Sequence, residues 1–481
     1  MRYHPSKKVI PLFYLPWIIS EIVSFDPVWS YLSAWAGTFL IFYLSIFSPL
    51  RYLSGDVPVR YQIMRPIILT QLVFAGFMCS TSIFYFLDHL GFQYFTNIRF
   101  SAFQVSEHTE AIAYCQRLSL LAHASLTTGI LIATKHHLPI RYIISTSLPW
   151  LATMLCISSY ALAQCMAIIP ALIQLRQPLQ NISITCAACL LLLGLKNKQY
   201  IPAMFGTTAF TANLLSCIAS GYKETFLLNL ILIASLAFHY YRKAVMIIAI
   251  PLICILLYVL PTFTMIIRVQ SWRHKKTIEQ AQTIALETLE DERQSSVIRQ
   301  NTWEFLTNRF SETGMFTTYV KQVPARHPYY GTTIPYQAIQ ALLPRFIWPN
   351  KPNTERLAME RVYESGVVNR TSAVSAKTRP VEDAYLTGGP IIVIIAMLVY
   401  GYLAQSICNK AEYLFGGYTS GCIIIFNSLF QHLWRGNTIE FMLNNILYSY
   451  ILMIILHKTL CILQLIKPAT RYEDHTHQSI L

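Results

Sequence analysis

Charged residues are scarce in this chain and acidic ones scarcer still: Asp, Glu, Lys and Arg make up 12% of it, with 23 acids against 37 bases. Soluble globular domains carry about 25% charged residues, so a fully water-exposed surface of ordinary composition is excluded. Hydrophobic residues reach 54% and the mean hydropathy is +0.43, values that describe a polytopic membrane protein. In a soluble domain a net charge of +14 would point to nucleic acid. Here it reads as basic short loops beside anionic lipid, and no nucleic-acid partner is expected. No cysteine falls between Cys254 and Cys408, so that stretch contains no internal disulfide. The cysteines lie mostly in apolar stretches without ligand spacing and read as packing, with no metal and no cofactor expected. Internal repeats, coiled-coil heptads, a P-loop, a dinucleotide fingerprint, zinc spacing and a nucleophile elbow are also missing. The apolar segment after Lys7-Lys8 leads straight into a second apolar run, as an uncleaved first span does.

What is present is a succession of membrane-length apolar segments, about twelve by the length needed to cross a bilayer. They fall at roughly 10–26, 29–48, 66–89, 111–134, 142–164, 179–195, 201–220, 224–241, 245–267, 388–406, 418–434 and 441–464. A further apolar stretch, Met166 to Leu175, leaves room for a re-entrant piece. With the amino terminus inside, the short cytoplasmic segments hold Arg2, Lys7, Lys8, Arg51, Arg60, Arg65, Lys135, Arg141, Lys196, Lys198, Arg242, Lys243, Lys410, Lys467 and Arg471. The short exterior segments hold only Arg99, Arg176, Lys223 and Arg435. This asymmetry follows the positive-inside rule and predicts cytoplasmic termini. The chain divides into a membrane region 1–267, a large exterior loop 268–384, and a second membrane region 385–481 with a cytoplasmic tail.

The long polar insert has its own organisation. From Thr277 to Phe310, Ile278, Ala281, Ala285, Leu289, Val297, Trp303, Phe305 and Leu306 recur at approximately helical spacing, which predicts amphipathic helices against the membrane. After Gly314 prolines break the pattern into short helices, and 353–363 resumes as a helix with Asn353 or Thr354 as cap. Within this region Leu343-Pro344-Arg345-Phe346-Ile347-Trp348-Pro349-Asn350-Lys351-Pro352 presents two cations on a proline-stiffened backbone beside Phe346 and Trp348. Cations beside aromatics suit an anionic, sugar-bearing ligand.

Ionisable residues at the exterior face carry the chemical reading, each with a plainer alternative. Arg117 either serves the site or snorkels to the interface. Lys223 either binds ligand or neutralises Glu224. His432 and Arg435, three apart, share a helix face or form an interfacial belt with Trp434. Arg356 and Arg361 bind ligand or form a solvated helix face. Glu382 and Asp383, just before the membrane re-entry, form a general base or an ion-pair anchor, with Arg379 able to orient Glu382.

The 343–352 run, followed by Glu382-Asp383-Ala384-Tyr385-Leu386-Thr387-Gly388-Gly389, resembles the Wzy-type polymerases of bacterial O-antigen and exopolysaccharide repeat units. Tyr329-Tyr330-Gly331-Thr332-Thr333 is similar to an upstream Gly-Thr element of that family. Ser220-Gly221-Tyr222-Lys223 is similar to one of its basic turns, with lysine where arginine is usual.

The resemblance implies an all-α, GT-C-like inner-membrane glycosyltransferase that needs no metal. Its substrate would be undecaprenyl-diphosphate-linked oligosaccharide, joined into long chains on the periplasmic side, with a chain-length regulator and a flippase as possible partners beside the lipid bilayer. Glu382, Asp383 and Arg345 are the expected catalytic residues. Lys351, Arg356, Arg379, Lys223, Arg117, His432, Arg435, Trp348 and Tyr385 are the expected substrate-binding set. An O-antigen ligase, a flippase or transporter for lipid-linked sugars, and a structural partner of an export complex are the alternatives.

Overall fold

A computed structural model describes residues 10–47, 58, 61–93, 97–98, 106–135, 142–219, 223–270, 277–290, 295–343, 348, 350–371 and 376–469. The described chain is largely helical. It begins with α1 (Ile10–Ile22), α2 (Pro27–Ile46), and α3 (Leu69–Phe74), which runs through a π-helical turn into α4 (Ser82–His89). A short β1–β2 pair (Phe92–Gln93 and Asn97–Ile98) precedes α5 (Glu107–Ala133) and β3 (Tyr142–Ile144). There follow α6 (Leu148–Ile168), α7 (Arg176–Lys196), α8 (Tyr200–Ala219) and α9 (Lys223–Arg268). The insert contributes α10 (Ile278–Glu290), α11 (Ser295–Asn308), α12 (Thr313–Gln322), α13 (Thr333–Leu342) and α14 (Thr354–Glu364). The chain closes with α15 (Pro380–Leu414), a π-helical stretch Tyr418–Phe426, α16 (Asn427–Leu429), α17 (His432–Arg435), α18 (Ile439–Ile462) and β4 (Ile466–Pro468).

Among the described residues, 7 helices are long and apolar enough to cross a membrane, and Ile10–Ile22, Phe226–Phe238 and Tyr418–Leu429 are shorter apolar helices. Each of the twelve or so expected spans coincides with helix, but fewer meet the length and hydropathy of a crossing. α5 shows why. It is buried along most of its length, with His123 fully enclosed and bonded to Gln71 at 3.0 Å. A helix surrounded by protein does not need the apolarity of one that faces lipid. The opposite case is Tyr240–Ile267, the most apolar span, where Ile247 and Ile250 are 71% and 67% exposed. Exposed side chains of this kind need lipid as their solvent. The expected spans 224–241 and 245–267 form one helical run with a non-helical kink at Tyr241, beside Arg242 and Lys243. The segment expected to enter the membrane at 142 instead starts as β3, paired antiparallel with β4 so that Ile143 faces Lys467.

The central contact is α5 against α15. Gly129 and Gly401 let the backbones meet: a Cβ on Gly129 would lie 2.0 Å from the Leu398 carbonyl oxygen, and one on Gly401 would lie 2.1 Å from that of Leu126. Far along α15, the Arg65 Nε and Nη2 each donate to Glu412 at 2.9 Å, and Gln62 accepts from Nη1 at 2.8 Å. The insert helices α10 and α11 pack on α9, with Ala281, Ala285, Ile298, Trp303 and Leu306 buried. Val297, expected on that apolar face, is 40% exposed, and its neighbour Ile298 takes the inward position.

Gly401→Ala should cost about 1–3 kcal/mol through overpacking. Gly76→Ala, where nothing stands within 4 Å of the added Cβ, should cost little. Thermal unfolding in detergent compares them, and equal losses would show that the α5–α15 approach is not what sets the fold's stability.

Candidate functional site

α14 starts where the Asn353 side chain accepts the Glu355 backbone N–H at 2.9 Å. Its inward face carries Ala358, Met359, Val362 and, among them, Arg361 at 2% exposure. The Arg361 Nη2 donates to Asp383 Oδ1 and to Glu440 Oε2, both at 3.1 Å. Its Nη1 donates to Glu440 Oε1 and, at 3.1 Å, to Gln337. Burial alone would lower the Arg361 pKa, but Asp383 and Glu440 outweigh it and hold the pKa above its ordinary value. The other Asp383 oxygen accepts the Ile439 N–H at 2.8 Å, at the start of α18. One guanidinium thus fastens α14 to α15 and α18.

One residue earlier, Glu382 faces elsewhere. Its Oε2 accepts the Arg379 backbone N–H at 2.8 Å, closing the first turn of α15 behind Pro380. Its Oε1 is buried without a hydrogen-bond partner among the described residues. The Arg379 side chain then reaches Glu312 at 3.1 Å and lies 4.7 Å from the Phe77 ring centre.

Arg379 and Glu312 open onto a polar cavity of about 610 Å³, whose lining also includes Tyr85, Arg309, Lys377 and Arg435. Arg309 and Lys377 are exposed. Glu312 is the one acidic residue among its described lining residues. A second cavity of about 190 Å³, reaching Phe441, shares Ala376, Lys377 and Asn437 with the first. Cations crowded around a polar chamber match a multiply charged anion such as a diphosphate. The carboxylate among them, Glu312, is ion-paired with Arg379.

Of the residues singled out in the sequence, Arg379 and Arg435 line this cavity. Glu382 and Asp383 lie buried and do not line it; Asp383 is arranged as an ion-pair anchor, with both oxygens engaged. Lys351 turns inward and donates to the Ala341 and Leu343 carbonyls at 2.6 and 2.9 Å, at the end of α13. Trp348 is half-buried beside it, its carbonyl accepting the Lys351 N–H at 3.1 Å. Arg345 and the Lys223 side chain lie outside the described residues, and Arg356 is exposed on α14.

Arg117 pairs with Glu21 at 3.0 Å and donates to Ser30 at 2.8 Å. His432 is buried with its ring 4.9 Å from that of Phe441. Tyr385 is buried and donates to the Val323 carbonyl at 2.9 Å. Sequence reasoning did not single out Arg309, Glu312 or Lys377, which flank helix junctions in no recognisable motif. It read Arg361 as ligand-binding or solvated, although its i and i+3 spacing from Ala358 was a signal of the inward face.

Arg361→Met leaves Asp383 and Glu440 enclosed without their cation and should destabilise the protein by about 3–5 kcal/mol. Adding Asp383→Asn and Glu440→Gln should recover part of that loss. Thermal unfolding of the purified protein measures both, and a single variant that unfolds at the wild-type temperature would deny the clamp any role in stability.

No curated protein and no solved structure matches the chain. Residues 15–468 match the model of a family described as a domain of unknown function, and the chain therefore belongs to that family, DUF8712.

Proposed function

We propose that this protein is a membrane glycosyltransferase that joins lipid-diphosphate-linked oligosaccharide units into a longer polysaccharide on the exterior side of a bacterial inner membrane. The observation that carries the reading is the cationic cavity of about 610 Å³ with Glu312 on its wall, at the end of the bundle where the long insert meets α15 and the turn before α18. The resemblance of 343–352 and 382–389 to Wzy-type polymerases points the same way, and a GT-C-like arrangement of about twelve spans belongs to this reading.

In the reaction, the acceptor sugar hydroxyl attacks the anomeric carbon of the donor glycan. A new C–O bond forms, the bond from that carbon to the lipid diphosphate breaks, and the electron pair leaves with the diphosphate. Arg379, Arg435, Lys377 and Arg309 neutralise the charge that gathers on the leaving group. The Glu312 carboxylate takes the hydroxyl proton, in the role the sequence assigns to Glu382 or Asp383. The adjoining cavity of about 190 Å³ gives room for a second glycan end. A cleft of about 500 Å³ among α6, α7 and α8, lined by Ile157, Tyr160, Ile184 and Phe205, is apolar enough for a lipid chain.

In a strain lacking the protein, surface glycan should stop at a single repeat, and the wild-type gene should restore long chains. Arg379→Ala and Arg435→Ala should reduce long-chain product by about a hundredfold at normal protein level. Glu312→Gln should abolish turnover while the lipid-linked unit still binds. Complete loss of attached glycan in the deletion strain would instead mark a ligase, and internal build-up of intermediates a flippase.

The orientation has a separate test. With native cysteines replaced, a cysteine in place of the exposed Lys377 should react with a membrane-impermeant maleimide added to spheroplasts. Labelling only after the membrane is broken would place the cavity on the cytoplasmic side and sink the proposal.

A further inference from the structure

Tyr85, on α4, forms part of the cavity wall. Its ring lies against Gly314 of α12, where a Cβ would come within 2.8 Å of Cε2. Behind it runs a chain of polar contacts. The Tyr85 hydroxyl is 3.1 Å from His108 Nε2, and His108 Nδ1 is 2.7 Å from Lys321 Nζ. The His89 ring stands edge-on to that of His108 at 4.8 Å, and His89 Nε2 is 2.9 Å from the Thr109 hydroxyl.

The direction of this chain follows from donor and acceptor chemistry. An ammonium group has protons to give and no lone pair to accept with, so Lys321 donates and His108 Nδ1 accepts. The imidazole is neutral, its pKa pushed down to about 4 by burial and by Lys321 and His89 beside it. Its single proton is therefore on Nε2 and is donated to the Tyr85 oxygen. The tyrosine's own proton is then not used in that bond.

We propose that Lys321 and His108 polarise Tyr85 so that its hydroxyl serves as a hydrogen-bond donor to a phosphate oxygen of a diphosphate group held in the cavity. This rests on the reading of the cavity as a diphosphate site. Tyr85 is a binding residue; His108 and Lys321 are positioning residues that act through it. The opposite polarity would turn the tyrosine lone pairs toward an anion and repel it.

Inorganic pyrophosphate is the probe, titrated calorimetrically into the detergent-purified full-length protein. Tyr85→Phe should weaken its binding by about tenfold, the scale of a hydrogen bond to a charged group. His108→Ala should weaken it equally, and the double variant should be no worse than either, because the pair acts as one unit. His108→Gln should restore binding, since its carboxamide oxygen accepts from Lys321 while its nitrogen donates to Tyr85. Independently, nitrogen NMR of labelled histidine should find His108 protonated at Nε2 in the wild type and mixed between tautomers in Lys321→Met.

A Tyr85→Phe variant that binds like wild type while Arg379→Ala does not would overturn the proposal and leave the cavity reading intact. Failure of His108→Gln to improve on His108→Ala would overturn the positioning role. Pyrophosphate that does not bind the wild type would sink the cavity reading and this proposal together. An Nδ1-protonated His108 would overturn the relay whatever the binding shows.

Discussion

Arg361 is charged and almost wholly enclosed, and satisfying it requires three elements to meet at one point. An unpaired guanidinium in such a place would cost several kcal/mol. The fold meets that requirement with Asp383 from α15, Glu440 from α18 and Gln337 from α13. The ends of two apolar helices are thereby held against the insert. The smaller cavity is walled by α14 and the segments before α15 and α18, and the larger one by those same two segments together with α4 and the α11–α12 connection.

The helices were readable in the sequence because their causes are local. Apolar length marks a span, helical spacing of Ala281, Ala285, Trp303 and Leu306 marks a packed face, and Asn353 marks a helix start. Arg379, singled out as able to orient Glu382, and Arg435, singled out by its spacing from His432, both reach the cavity wall. Lys351 shows the limit of that reasoning. Neighbouring prolines say nothing about the direction of a side chain, and its ammonium folds back onto the Ala341 and Leu343 carbonyls. Glu312 and Arg309 reach the cavity wall from the connection between α11 and α12. No local spacing encodes where that connection comes to lie.

Long-range pairing bears on the side of the membrane each loop occupies. Arg65 and Glu412 meet, as do β3 and β4, and the charge count puts both pairs of segments in the cytoplasm. Arg117 meets Glu21, and Arg361 meets Asp383 and Glu440, all at positions that the same count puts outside. A single misplaced crossing between the members of any pair would have set them on opposite faces. Each pair therefore holds its segments together at one place in the bundle.

Glu382 and Asp383 divide the work of this region because consecutive helical residues point about 100° apart. Asp383 turns toward Arg361 and holds the insert to the bundle. Glu382 turns toward the Arg379 backbone and fixes the start of α15, from which the Arg379 side chain extends to Glu312 at the cavity wall. Neither orientation would survive if the first turns of α15 had to continue the axis of the long apolar helix below them. The break at Gly388 and Gly389 removes that constraint. Gly389 has φ +74°, and a Cβ there would stand 3.0 Å from the Tyr329 hydroxyl, so both backbone strain and space favour glycine. The opening turns are set by the polar contacts of the insert and the rest of α15 by its packing on α5, so one helix can answer to the site at one end and to the bundle along its length.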